Sequence, residues 1–212
     1  MRWSRIAPVT VSLALAVAAS PTLAQVCGPP LACPEPANST IPSLIVLVGH
    51  DGSGTPDPGG QFTVVMRDLA NNPVPNATIR VQLVATDVGF CSSQAAGLSL
   101  VLPDAIEGHT DAAGIFTASI KGIGVGPTSH TYGGVQIYGN GQLFGTPNIA
   151  AIDLDGSGGA GINDLALWLA DFGSGINYLR DDFDGSGGIG ANDLAVWLAY
   201  YGKGLSAAGC AP

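Results

Sequence analysis

A chain of 212 residues with 31 Gly and 15 Pro has room for one ordinary domain and a smaller unit, and so turn-rich a composition excludes a large α/β enzyme. Charged residues make up 11% and hydrophobic residues 46% with only 7% aromatic, so small apolar side chains carry the hydrophobicity. Seven Lys+Arg against 16 Asp+Glu give a net charge of -9, the wrong sign for neutralising phosphates, which excludes nucleic acid as a partner.

At the start, Arg2 and Arg5 precede an apolar run from Ile6 to Ala19 that closes on Ser20-Pro21-Thr22-Leu23-Ala24. A basic segment, a short apolar stretch and a small exit residue predict a secretory signal peptide over residues 1–24, too short to span a bilayer. No later run is long enough either, so the mature chain is expected to be secreted, extracellular or at the cell surface, without a transmembrane segment. Cys27, Cys33, Cys91 and Cys210 all follow the leader into an oxidising compartment and are expected to pair. Four cysteines allow three connectivities, which spacing does not choose between.

Residues 25–39 read as an irregular Cys/Pro-rich lead-in. From 40 to 140, short β-branched runs alternate with Gly, Pro, Asn and Asp clusters, the pattern of a β-sandwich. The clearest strand has Ala77, Ile79, Val81 and Leu83 alternating with Thr78, Arg80 and Gln82, a period of two with one apolar face. Phe62, Val64 and Met66 alternate in the same way, as do Phe116, Ala118 and Ile120, and further strands are expected over 44–48, 98–102 and 135–138. Residues 141–150 read as a linker, 151–206 as a second unit and 207–212 as a tail.

Two turns have a distinctive form: Asp68-Leu69-Ala70-Asn71-Asn72-Pro73 leading to Ala77-Thr78, and Thr110-Asp111-Ala112-Ala113-Gly114 before Ile115-Phe116. Both resemble the turns of bacterial immunoglobulin-like repeats of the invasin/intimin type. The resemblance implies an immunoglobulin-like sandwich serving as a spacer, adhesive or carbohydrate-proximal module, and it carries over no catalytic residue.

The strongest signal is an internal repeat at an offset of 29 residues: from 153 to 175 against 182 to 204, 16 of 23 positions are identical. Each copy reads as a twelve-residue calcium loop, with oxygens at alternate positions, Gly at position 6 and a carboxylate at position 12. Asp153, Asp155, Ser157, Gly159 (through its carbonyl) and Asp164 are the candidate ligands of the first ion; Asp182, Asp184, Ser186, Gly188 and Asp193 are those of the second. An all-oxygen set in a flexible loop suits calcium better than magnesium, and no soft ligand is present. A helical run follows each loop, with Leu165, Trp168, Leu169 and Phe172 in the first copy and Leu194, Trp197, Leu198 and Tyr201 in the second. The two tryptophans are expected in the core, and Gly173 and Gly202 as left-handed caps.

Loop plus helix, duplicated and without a helix before either loop, resembles the type I dockerin domain. The resemblance implies a small all-α, calcium-dependent module that binds a cohesin-type partner and tethers secreted proteins, often polysaccharide-degrading enzymes, to a scaffold. Position 5 is Ser where dockerins usually carry Asp or Asn, and position 9 is Gly161 or Gly190, so weaker calcium binding is expected. Ile162-Asn163 and Ala191-Asn192 stand where the resemblance places partner choice, and near-identical copies imply docking in either of two orientations.

Catalysis finds little support. His50, His109 and His130 are scattered in turn settings, Ser92 and Ser93 have no nucleophile-elbow context or neighbouring base, and no spacing among Asp68, Asp87, Asp104, Glu107 and Asp111 places two carboxyls in one cleft. The sequence therefore reads as a secreted non-enzymatic binding or anchoring protein. A surface or matrix protein with a calcium-rigidified end and no cohesin, able to meet extracellular polysaccharide or a cell-surface component, is the alternative; a polysaccharide-acting enzyme with a dockerin tail comes third.

Overall fold

The structure, a computed structural model, describes residues 33–49, 57–84, 88–124, 134–176 and 179–201. The leader, Cys27, His50, His130, Gly202, Cys210 and the tail lie outside the described residues. Among the described residues the fold is mostly β, with two α-helices toward their C-terminal end. Cys33 and Cys91 are both disulfide-bonded.

Five antiparallel strands form the larger sheet, in the order β10 (Gln142–Gly145), β9 (Val135–Gly139), β3 (Thr78–Leu83), β6 (Ala105–His109), β5 (Ser99–Leu102). Facing it are the antiparallel pair β2 (Phe62–Val65) with β7 (Ile115–Ala118) and the parallel pair β1 (Leu44–Leu47) with β11 (Asn148–Ala151). A short antiparallel pair, β4 (Val88–Phe90) with β8 (Gly122–Gly124), adjoins β1 through the Val48–Lys121 bridge. The alternation legible in the sequence sets the layers: Ile79 and Val81 of β3 and Val64 of β2 are fully buried, and Phe116 and Ala118 of β7 nearly so. They meet Ile137, Ile106 and Met66 in one core between the layers, as expected of a β-sandwich.

The two distinctive turns work as joints. Asp111 Oδ1 accepts the amides of Ala113 (2.8 Å) and Ile115 (2.9 Å), while buried Thr110 Oγ1 accepts the Ala77 amide and donates to the Val74 carbonyl, both at 2.8 Å. Gly114 sits at φ +72°, and a Cβ there would lie 2.6 Å from the Met66 carbonyl oxygen, so the turn requires glycine. In the other turn Asp68 Oδ1 accepts the Asn72 amide at 2.8 Å, with Asn71 left-handed at φ 64°.

Residues 141–150 are not a linker. They form β10 and β11, and β11 pairs in parallel with β1 from Leu44↔Asn148 to Leu47↔Ala151. The reason is double burial. Ile45, Leu47, Ile149 and Ala151 face the sandwich core, while Val48, Ala150 and Ile152 enter a second cluster with Leu154, Trp168, Phe183, Trp197 and Tyr200. A parallel pair covered on both sides needs apolar residues throughout and shows no alternation. The helical unit therefore shares a wall with the sandwich: the pair is the common partition between two hydrophobic cores.

Candidate metal centre

The first loop grows directly out of β11. Ile152 N donates to Leu47 O (3.1 Å), and the next residue, Asp153, accepts at its carbonyl from Gly124 N of β8 (2.5 Å). A Cβ on Gly124 would lie 2.2 Å from the Leu154 carbonyl oxygen, and one on Gly156 2.6 Å from that of Gly124, so glycine on both sides lets loop backbone lie against strand backbone. Gly158 and Gly187, at position 6 of each loop, take φ +104° and +89°, the left-handed turn the loop pattern calls for.

Asp164 lies in the first turn of α1 (Ile162–Ser174) and closes the first loop on itself. Its Oδ2 accepts the Gly161 amide (2.7 Å), capping the helix, and its Oδ1 accepts the amides of Leu154 (2.7 Å) and Asp155 (2.9 Å). Asp193 repeats the arrangement in α2 (Ala191–Leu198), with Oδ2 on Gly190 N (2.7 Å) and Oδ1 on Asp184 N (3.1 Å). Asp153 Oδ2 accepts from Gly158 N (2.8 Å) and Gly159 N (3.1 Å), and Asp182 accepts from the Ser186 and Gly187 amides at 2.9 Å.

These contacts gather two triads, Asp153, Asp155 and Asp164, and Asp182, Asp184 and Asp193, each with one carboxylate oxygen per residue lying within 4.8 Å of the others. Of the remaining predicted ligands, Ser157 N donates to Asp155 Oδ1 (2.8 Å), and Ser186 Oγ donates to the Gly188 carbonyl (3.3 Å). Asp153 Oδ1 is buried with no hydrogen-bond partner. An orphaned carboxylate oxygen is costly in a low-dielectric site unless a proton or cation meets it. The Asp153 carboxyl is pushed up to about 6, chiefly by burial and further by the charges of Asp164 and Asp155, against the Gly158 and Gly159 amides that lower it. Burial also raises Asp164 and Asp182. Asp155 moves down: burial works against this, but hydrogen bonds from Ser157 and Asn163 outweigh it. An all-oxygen donor set with three converging carboxylates and one oxygen awaiting a partner fits a hard divalent cation.

Both tryptophans are core, as expected, at 2% and 0% exposure. Trp168 packs face to face with Phe172, ring centroids 5.2 Å apart, and Trp197 against Tyr201 at 5.3 Å. Leu169, Phe172, Leu198 and Tyr201, which the helical spacing would put in the same stripe, are instead half exposed, and they occupy equivalent positions in the two copies. The left-handed cap of α1 is Gly175 (φ 69°), not Gly173, which lies within the helix. Between the copies, buried Arg180 donates through Nε to Asp171 Oδ2 (2.9 Å) and lies 3.6 Å from Asp181 Oδ2. This link is not legible in the repeat pattern, because Asp171 and Arg180 are each unique to one copy.

His109 is exposed on β6. Ser93, for which the sequence offered no base, accepts a hydrogen bond from the buried Lys121 ammonium (3.1 Å), and burial lowers the pKa of that lysine. Gln94 brackets the same spot, donating to the carbonyls of Cys91 and Lys121 at 2.8 Å, so these contacts pin the Cys91 loop to the segment between β7 and β8.

No protein-family model and no curated protein matches the chain. Among solved structures it is similar to the Yersinia pseudotuberculosis adhesin InvE, at 22% identity over 56% of this chain, with a TM-score of 0.29. The chain spans 28% of that adhesin chain. Among the described residues, no helix is long and apolar enough to cross a membrane.

Proposed function

We propose that this is a secreted, non-enzymatic binding or anchoring protein in which an immunoglobulin-like sandwich carries a calcium-binding, dockerin-like pair of loop-helix repeats. The observation that carries the reading is the duplicated triad with its orphaned buried oxygen, Asp153 Oδ1. Asp153, Asp155 and Asp164, with Ser157 and the Gly159 carbonyl, would hold one ion; Asp182, Asp184 and Asp193, with Ser186 and the Gly188 carbonyl, would hold the other. Bound calcium offsets the repulsion among the carboxylates and fixes both loops against the sandwich. The paired exposed residues Leu169 and Phe172, and Leu198 and Tyr201, would then form the surface offered to a cohesin-type partner.

Calorimetric titration of the full chain tests the metal reading. Two calcium ions per chain are expected, falling to one in Asp155→Asn and one in Asp184→Asn, changes that remove a ligand charge and keep the Oδ1 acceptor for the serine amide. Absence of binding at millimolar calcium would overturn it.

A second reading, a surface or matrix protein whose calcium-loaded end only stiffens the sandwich, is favoured by the shared wall of β1 and β11, since an independent docking module needs no such burial. Leu169→Asp with Leu198→Asp separates the two. Loss of cohesin capture with calcium stoichiometry unchanged supports docking, and a chain that binds calcium but no cohesin domain supports stiffening.

A further inference from the structure

The outer face of the five-stranded sheet carries a polar row that the metal loops do not use. Cross-strand register sets Leu143, Tyr138, Arg80, Glu107 and Ser99 side by side across all five strands. The next row holds Gln136 opposite Gln82. Both edge pairings slip register, at Leu143/Gly145 and at Leu100/Leu102, and such bulges bend and twist edge strands away from a flat plane. Above the central strands lies a concavity of about 330 Å³ lined by Thr78, Arg80, Gln82, Glu107, Tyr138 and Gly141.

The floor is half-buried and held in place. Arg80 donates through Nε to Glu107 Oε1 (2.7 Å), and its Nη2 lies 2.6 Å from the same oxygen. The Tyr138 hydroxyl donates to Gln136 Oε1 (2.7 Å). These contacts fix the planes of four polar side chains, so little rotamer freedom is left to lose on binding. Both Arg80 contacts fall on Oε1, which leaves guanidinium donors and the Glu107 Oε2 acceptor side by side for an outside partner. A donor and an acceptor at that spacing match two neighbouring hydroxyls, each of which both donates and accepts. The paired charges cancel, which disfavours an anionic ligand, and the Tyr138 ring offers an apolar face.

We propose that this concavity binds a neutral, hydroxyl-rich chain, a segment of uncharged polysaccharide, with the Arg80–Glu107 pair engaging adjacent hydroxyls, the Gln82 amide engaging another, and Tyr138, oriented by Gln136, stacking on a sugar ring. The proposal rests on sheet residues alone and stands whether or not the loops bind calcium.

The test is titration of the full chain with cellohexaose, xylohexaose, mannohexaose and maltohexaose, with oligogalacturonate as the anionic counterpart, in calcium and in chelator. At least one neutral oligosaccharide is expected to bind, shifting backbone amide resonances of β3, β6 and β9 in the unmodified protein. Glu107→Gln and Tyr138→Ala should each weaken that binding about tenfold or more, and chelator should leave it in place wherever the sandwich stays folded. Failure of every neutral chain to bind, preference for the anionic chain, or resonance shifts confined to other strands would overturn it.

Discussion

The Trp197 indole Nε1 donates to the carbonyl of Ile152 at 3.1 Å, tying the second helix to the residue immediately before the first loop. Ile152 is itself bonded to β1 through Leu47, so a single path runs from the second repeat through the base of the first into the sandwich. Trp197 is fully buried among Val48, Ala150, Ile152 and Leu154, and the two Asp-rich loops and the sheet are therefore parts of one packed body.

Trp197→Phe keeps most of the ring and removes the donor, leaving the Ile152 carbonyl buried and unpaired, at a cost of about 1–3 kcal/mol. Truncation to Ala should cost about 3–5 kcal/mol through the cavity it opens. Urea unfolding followed by tryptophan fluorescence and by far-ultraviolet dichroism should give coincident transitions in the parent and in Trp197→Phe. Helices that melt well before the sheet would show that the shared wall does not couple them.

Acidity should act on the metal-free and loaded forms in opposite senses. Burial raises Asp153 from 3.8 to about 6, so its contribution to metal-free stability is fully present below about 3.8 and is lost as pH rises through about 6. Asp164 and Asp182, raised by the same cause, act in the same direction, while Asp155 and Asp184, which are lowered, act in the opposite one, their contribution being present above the ordinary carboxylate value and lost as pH falls below it. Calcium must displace the Asp153 proton, so the rise in Tm on adding calcium should grow as pH increases through about 6. Melting curves in chelator and in calcium across this range check it, and a calcium increment independent of pH would count against Asp153 as a ligand.

Thr110 supports two backbone groups at once. Thr110→Val preserves shape and strips both bonds, leaving the Ala77 amide and the Val74 carbonyl unmatched in the turn that leads into β3, and should cost about 2–4 kcal/mol by denaturant unfolding. Calcium stoichiometry should not change, since Thr110 belongs to the sandwich core rather than the helical cluster.

What the sequence made legible follows from periodicity. Ile79, Val81 and their alternating neighbours had one dry face and one wet face, and they read as a strand. The duplicated Asp spacing likewise marks both triads, because each draws its three carboxylates from twelve contiguous residues. β11 is illegible for the opposite reason: Asn148-Ile149-Ala150-Ala151 is covered on both faces and shows no alternation, so its pattern does not separate it from a linker. In β6, Glu107 and Gly108 broke the apolar pattern, and that same Glu107 pairs with Arg80 on the outer face. The Trp197 to Ile152 bond joins residues 45 apart and leaves no local trace. Leu169 and Phe172 share helical spacing with Trp168, but the core takes Trp168 with Leu165 and Leu167 packed beside it, while Leu169 and Phe172 are half exposed.

The central claim is that calcium loads the repeat and thereby stabilises the whole chain as one cooperative unit. Differential scanning calorimetry of the full chain, in calcium and in chelator, tests it most directly. A single transition that moves up in calcium is predicted, by an amount corresponding to about 2.7 kcal/mol per site at a hundredfold excess over Kd, and the increment should halve in Asp184→Asn. An unmoved transition would contradict calcium binding, and two transitions of which only the smaller moves would contradict the union of repeat and sandwich.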